Sequence, residues 1–533
     1  MSRRAPDDRA EAAASVAPTR TARRWRPARL AGLALLAPLA VPPPAGALPS
    51  FARQTGEPCT ACHVQTWGAD LTPRGRDFKL NGYTEGDASR LPPFSLTLDG
   101  TVASYVSPER SVILPANSAY KASLYYAGRI APHLGAYASG SYQNVNDELD
   151  EYYLDKFDLR FAHAVELGGH RLNYGVTANN QPGLQDLWNT MPAWSFTRAV
   201  QPSMSFHPDG RSLPLFGPSG TYDLHGWENL LPTGTRLARQ PTPFGTGDLR
   251  RGFNRMAPTL MDGVLAGNTG GASLYFMLDR WLYLEGGAYA SLPRDVQDGI
   301  GRGYPRQSQL AAFNRPDPQL DGGAPYWRVA LQHQWDGHYL SVGHFGLAAE
   351  WNYALQATGL SPELLLIGSP EFRYDVTDLG LDATYQYLAN PDHIFELKGV
   401  YLRERREGRR GPNTLAFGGP VVTSLVSPLS EVVRINAAYT WAQTVGVAFG
   451  YHRYMDDPVD YLFVTPLPIG PVRGTLHIRD REAYVAELSY TPFGKSDSLA
   501  SPWLNLRLNL TYMGDLHGSW IGDTFYVNGS LAF

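Results

Sequence analysis

The last strand-like run of the chain constrains its fold most tightly. In "TFYVNGSLAF", Phe525, Val527, Gly529, Leu531 and Phe533 fall on one face, and Tyr526, Asn528 and Ser530 on the other. A period of two residues is the signature of a β-strand. Just upstream, "LNLRLNLTY" repeats it: Leu504, Leu506, Leu508, Leu510 and Tyr512 alternate with Asn505, Arg507, Asn509 and Thr511. In a soluble sandwich the apolar face would be the core. Here the opposite face carries an arginine and amides, so the polar face suits a lumen and the apolar face suits lipid. The chain ends on Phe533, and a terminal aromatic is the address read by outer-membrane barrel assembly in bacteria.

The alternation begins near Phe94 and predicts sixteen strands, at 94–105, 119–130, 133–144, 156–167, 170–179, 272–279, 281–291, 325–335, 338–350, 372–387, 393–404, 431–440, 444–454, 482–490, 503–512 and 524–533. The fold class expected is all-β, a transmembrane outer-membrane β-barrel of about 16 antiparallel strands over residues 93–533. Composition agrees, with 30 Tyr, 12 Trp and 54 Gly in 533 residues, the balance of a barrel with aromatic girdles. Links after even-numbered strands are short and those after odd-numbered strands long, as in barrels with periplasmic turns and outer loops; residues 491–502 interrupt the rule. Both termini are then expected on the periplasmic side. The third outer link, residues 180–271, is too long to be idle. It is expected to fold into the lumen and, with the segment before the barrel, to plug it.

Residues 1–47 read as an export signal: a basic stretch "RRWRPAR", an apolar run "LAGLALLAPLAV", and small residues Ala45 and Ala47 before the cleavage point. The alternative, an N-terminal membrane anchor, needs an apolar run of roughly 20 residues without proline. The remainder carries 38 basic and 47 acidic residues, a net charge of −9, which argues against a nucleic-acid partner. It contains no second long apolar run, hence no transmembrane helix is expected.

Residues 48–92 hold the only two cysteines, Cys59 and Cys62, followed at once by His63. C-x-x-C-H in an exported chain reads as covalent attachment of one haem c. Two thiols one turn apart reach the two vinyl groups of one porphyrin, and the following imidazole ligates the iron. A Cys59–Cys62 disulfide would close a loop too small to stabilise much. A thioredoxin-like pair needs a βαβ context, and a zinc site needs more ligands. The segment is too short to enclose a porphyrin by itself, so a haem here must take its pocket from the rest of the chain. Arg74 and Arg76 are candidate partners of the haem propionates, or alternatively contacts to the barrel wall. The distal ligand is open: Met191 is the candidate nearest a motif, with Met204, His207, His333 and His452 behind it, and a five-coordinate iron remains an alternative. In "NVNDELDEYYLD", Asp147, Glu148, Asp150 and Glu151 offer hard oxygen ligands to a passing divalent cation, or form a solvated acidic outer loop; Asp295 and Asp298 read the same way. Arg434, Glu487 and Arg507 are inward charges expected to line or plug the lumen.

"FARQTG..C..CH", "LTP.GR.FKLNGY" and "NN.P..QD.WNT.PAW", at residues 51–63, 71–83 and roughly 179–194, resemble the fused outer-membrane cytochrome–porins of iron-oxidising bacteria and their wider family. The resemblance implies one haem c in the neck or lumen of a sixteen-stranded barrel, with Cys59 and Cys62 as thioether anchors and His63 as proximal ligand. It also implies uptake of electrons from extracellular Fe(II) and their delivery to a periplasmic electron-carrier cytochrome. Two other readings stay open: a diffusion porin for small solutes with a haem-bearing plug, and electron exchange with a non-iron extracellular substrate.

Overall fold

The computed structural model describes residues 48–533 except 69, 87–91, 106–116, 146–148, 192–258, 262–264, 266–268, 301–318, 355–370, 410–427, 464–471, 477–480, 496, 499, 501 and 516–523. The expected export signal, Met204, His207, Asp147 and Glu148 lie outside the described residues.

Three short helices come first: α1 (Pro49–Thr55), α2 (Cys59–Cys62) and α3 (Pro73–Leu80). The strands then follow as β1 (Phe94–Tyr105), β2 (Asn117–Ala131), β3 (Leu134–Val145), β4 (Leu149–Leu167), β5 (His170–Asn179), β6 (Thr269–Leu278) and β7 (Leu282–Ser291). Past the helix α4 (Arg294–Gly299) lie β8 (Gln319–Leu320), β9 (Ala324–Trp335), β10 (His338–Ala354), β11 (Glu371–Tyr387), β12 (His393–Arg409), β13 (Leu429–Trp441) and β14 (Val445–Asp456). The chain finishes with β15 (Val459–Phe463), β16 (Val472–Leu476), β17 (Arg481–Tyr490), β18 (Asn505–Asp515) and β19 (Thr524–Ala532).

Each wall strand pairs antiparallel with its neighbours in sequence, and β1 pairs with both β2 and β19, which closes the sheet. Setting aside the two-residue β8 and the separate β15–β16 hairpin, the wall is a closed sixteen-stranded antiparallel barrel. Every expected strand is present. The differences lie at the ends and in the two additions. The acidic stretch expected as an outer loop is a strand from Leu149 onward, because the β3–β4 hairpin continues in register with Glu151 opposite Gln143 and Asp150 opposite Asn144. Apolar alternation marks only the lipid-facing part of a strand, so a polar extension beyond the membrane leaves no such trace.

Alternation decides which side chains face where. Leu124, Leu274, Leu381, Leu510 and Val527 are exposed on the outside, while Arg160, Arg434 and Arg507 are buried inside. That inversion of a soluble core is the outer-membrane barrel arrangement. At the short-turn end, Trp281, Trp335, Trp441, Tyr490 and Phe533 are exposed, forming an interfacial girdle. The turns there are tight. Asp336 and Gly337 both take positive φ, 43° and 80°, the geometry a two-residue hairpin turn demands and the reason for a D-G pair at that point.

On β19, Val527 lies between outward Val102 and Leu510, whereas the adjacent Asn528 points inward opposite Thr101 and Asn509. Val527→Arg should cost about 2–4 kcal/mol in lipid. It should therefore lower the yield of heat-modifiable, assembled barrel far more than Asn528→Arg, and equal assembly of the two would contradict this facing.

Candidate functional site

Among the described residues, those from Leu48 to Gly86 fold inside the barrel. Local chemistry shapes the C-x-x-C-H turn. Pro58 and the one-turn helix α2 put both thiols on consecutive sides of a single turn. After α2 the backbone returns on itself, with His63 paired antiparallel to Leu71. Thr72 clamps this return. Its N–H donates to Cys62 O at 2.9 Å, its hydroxyl to Ala61 O at 2.5 Å, and its Oγ1 accepts from Gly75 N, capping α3. Gly75 is required by contact: a Cβ there would sit 2.3 Å from Cys62 O. The "LTP.GR" block is thus the support of the thiol turn.

The barrel wall and its one long turn-side connection hold that turn. Asn505 Nδ2, at the start of β18, donates to Cys59 Sγ and to Thr66 O, both at 3.2 Å. Thr66 Oγ1 donates to Gln443 O, Arg507 Nη2 donates to Gln65 Oε1, and Lys398 Nζ pairs with Asp70 at 2.9 Å. Residues 491–504, the exception among short connections, place Gly494 against Thr66 and Cys59, and Arg53 lies over the Trp503 ring. Cys59 is fully buried and Cys62 partly so; both are free thiols. Burial pushes the Cys59 thiol well up, and burial with Glu57 nearby pushes Cys62 up to about 12, so both stay protonated. His63 is buried, and desolvation pushes its imidazole down to about 4, leaving it neutral. Its Nδ1 has no hydrogen-bond partner among the described residues.

Above the turn, α3 reaches the first part of the long third connection. Residues 180–191 are buried throughout. Lys79 Nζ donates to Leu184 O at 2.7 Å, Asp186 O at 2.6 Å and Asn189 Oδ1 at 2.7 Å. Asp186 in turn accepts from Trp188 N and Thr190 N and pairs with Arg328 of β9. Trp188 donates its indole N–H to Tyr339 OH, and its carbonyl accepts from Lys398. Tyr83, at the end of the same segment, donates to Asp158 at 2.6 Å. The first two sequence blocks, 51–63 and 71–83, and residues 179–191 of the third therefore meet inside one barrel.

The other candidates separate. Arg74 is held outside the turn by Glu57 and Glu85. Arg76 stacks over Tyr339 at 3.7 Å and donates to Leu71 O and Gln386 Oε1. Met191 is buried in an apolar cluster with Leu260 and Met261, its sulfur 3.3 Å from Arg434 Nη1. His452 is buried opposite Arg434, and His333 stacks on Trp335. Asp150 and Glu151 sit on β4 at the long-loop end, away from the thiol turn. Asp295 is exposed on α4. Arg507 and Glu487 form a buried ion pair. Sequence reasoning did not single out Asn505, Lys398, Arg328 or Tyr339. Each is an ordinary inward position on its strand, and nothing local distinguishes it.

No family model matches the sequence, and no curated protein matches it. Among solved structures, OprB of Pseudomonas putida is 11% identical, covering 83% of this chain and 94% of that one, with a TM-score of 0.38. OmpF of Salmonella typhi, in complex with daunomycin, is 12% identical, covering 83% and 97%, at 0.35. An anion-selective porin from Comamonas acidovorans is 11% identical, covering 82% and 98%, at 0.34.

Burial pushes the Lys79 ammonium down to about 7, with nearby Arg160 adding to the effect. Between pH 7 and the ordinary lysine range the unfolded chain then binds more protons than the folded one, so Lys79 makes stability rise with pH across that window and level off below it. The temperature of heat modification should climb from pH 7 to 10 in the native protein, and Lys79→Met should flatten that climb. Equal slopes in the two proteins would exclude Lys79 as its source.

Proposed function

We propose that this porin-type barrel carries a single covalently bound haem c and passes electrons across the outer membrane, oxidising extracellular Fe(II) and delivering the electrons to a periplasmic cytochrome. One observation carries the reading: two free thiols on one helical turn, followed by a buried, neutral imidazole with an unpaired nitrogen, all held inside a closed barrel. Those residues fit the group. Two protonated thiols can add across two vinyl groups, and a neutral imidazole is the form that ligates iron. Cys59 and Cys62 would anchor it and His63 would hold the metal, which when bound supplies one-electron ferric–ferrous chemistry. The chain's own contribution is to fix the turn through Thr72, Gly75 and Asn505 and to desolvate the imidazole. Met191 remains a candidate distal ligand only if it leaves Arg434.

The side chains inside also bear on the rival reading, a diffusion porin. Among the described residues the lumen holds α3, residues 180–191 and the ion pairs that fasten them, which favours a plugged barrel over an open one. Reconstituted in a planar bilayer, the protein should conduct far less than an open sixteen-stranded porin; conductance of open-porin size would favour solute diffusion.

Covalent attachment should need both thiols. Expressed with a cytochrome c maturation system, the native protein should stain for haem on a denaturing gel, Cys59→Ala and Cys62→Ala should lose most of the band, and His63→Ala should alter the iron spectrum. A native protein with no haem band would end the cytochrome reading.

Fe(II) approaching from outside meets the long-loop end first, where Asp147, Glu148, Asp150 and Glu151 lie in sequence. Their attraction should be weak and screened by salt, since ferric product must leave. In stopped flow, Fe(II) should reduce the haem, and neutralising all four acids should slow reduction several-fold without moving the spectrum. Reduction by dithionite but not by Fe(II) would leave electron exchange with another extracellular donor.

A further inference from the structure

A second group beside the thiol turn is unexplained by the fold. Arg507 of β18 is 0% exposed, and its Nε and Nη1 have no hydrogen-bond partner among the described residues. Only its Nη2 is occupied, by Glu487 and by Gln65 Oε1 at 3.4 Å. A buried guanidinium with two unmet nitrogens is costly, and such a group calls for a further acceptor. The surroundings add donors. Gln65 Nε2 is buried and unpaired, and so is Thr440 Oγ1 on β13. Gln65 lies against Gly446 of β14, the residue paired with Thr440, so these groups flank one stretch of wall. That stretch is low: Gly446 has no side chain, and the next inward residue, Ala448, keeps partial exposure to the lumen.

We propose that Arg507, flanked by Gln65, is a carboxylate-binding site of the barrel wall and holds a propionate of the haem carried by Cys59 and Cys62. The proposal rests on the haem reading above. Arg507 Nε and Nη1 and Gln65 Nε2 are unmet donors on two side chains already in contact, and a guanidinium binds a carboxylate through two parallel bonds. The position fits the anchor. Asn505, which donates to Cys59 Sγ, is two residues before Arg507 on the same inward face, about 7 Å away along the strand. Gln65 is two residues after His63 on the same turn. A group anchored at Cys59 and His63 would have Arg507 as a neighbouring wall residue. The arginines nearer in sequence are less available: Arg74 is taken by two carboxylates, and Arg76 keeps only Nε free while its face covers Tyr339. Arg507 acts as a positioning residue, setting the ring's orientation.

The test uses full-length protein made with a cytochrome c maturation system, comparing the native chain with Glu487→Gln, Arg507→Gln/Glu487→Gln and Arg507→Lys/Glu487→Gln. Pairing the substitutions avoids leaving Glu487 buried without its cation. All four should assemble and stain for haem. Resonance Raman should show the propionate bending band unchanged in Glu487→Gln and shifted towards that of a free propionate in Arg507→Gln/Glu487→Gln. The midpoint potential of that double variant should lie below that of Glu487→Gln, because a nearby cation favours the ferrous state; the lysine variant should fall between. An assembled, haem-bearing glutamine double variant with the band and potential of Glu487→Gln overturns the Arg507 assignment alone. A native protein without covalent haem overturns both this site and the haem reading. Should the double variant fail to assemble, the native protein decides: its propionate band must shift when the protein is folded in D2O, and an unshifted band overturns the assignment.

Discussion

The buried ammonium of Lys79 is the contact on which the interior depends. It joins the segment before the barrel to the third connection by three hydrogen bonds, to Leu184 O, Asp186 O and Asn189 Oδ1. Burying a lysine is unfavourable, and the three hydrogen bonds offset only part of that cost, the rest showing as the lowered affinity of Lys79 for its proton. Its position is inherited from below. Thr72 and the bare Cα of Gly75 let α3 rest on the thiol turn, so the same helix that supports Cys62 also presents Lys79 to residues 184–189. Lys398 repeats the link from the wall, reaching Asp70 near His63 and the carbonyl of Trp188.

Charge compensation then spreads outward. Asp186 lies beside Arg328, Arg328 also meets Asp382, and Arg160 meets Asp158, which takes the Tyr83 hydroxyl. All these groups are buried. Removing one partner of such a pair leaves a charge with nothing to oppose it, typically at a cost of about 3–5 kcal/mol. Among the described residues, the third connection and the segment before the barrel are consequently interlocked by these pairs.

The architecture was legible strand by strand. In the last two strands, alternation predicted which of Leu508, Arg507, Asn509, Leu510, Val527 and Asn528 face out and which face in, and the burial of each agrees. Asp150 and Glu151 read as loop in the sequence, since their strand character comes from cross-strand pairing with Asn144 and Gln143 and not from any apolar period. The hairpin of β15 and β16 left no readable period either. Around the thiol turn, Cys59, Cys62 and His63 stood out by spacing alone. Asn505 and Lys398, more than three hundred residues later, did not, and Arg507 read only as an inward charge, because an inward polar residue in a barrel strand looks the same whether it faces a ligand, a plug or water.

The sequence by itself determined the barrel, its strand number, its lipid-facing surface and the thiol–thiol–imidazole turn. Each of these is local: a period of two, a turn between two runs, or a spacing of three residues. Only the tertiary structure decided what meets in the lumen: that Lys79 holds the third connection, that residues 491–504 cover Cys59, that Arg74 is already neutralised by Glu57 and Glu85, and that Arg507 keeps two nitrogens unmet. The reason is geometric. Closing the sheet through β1 and β19 brings strands distant in sequence around one interior, and which inward side chains then find partners depends on register and depth, which no local pattern records.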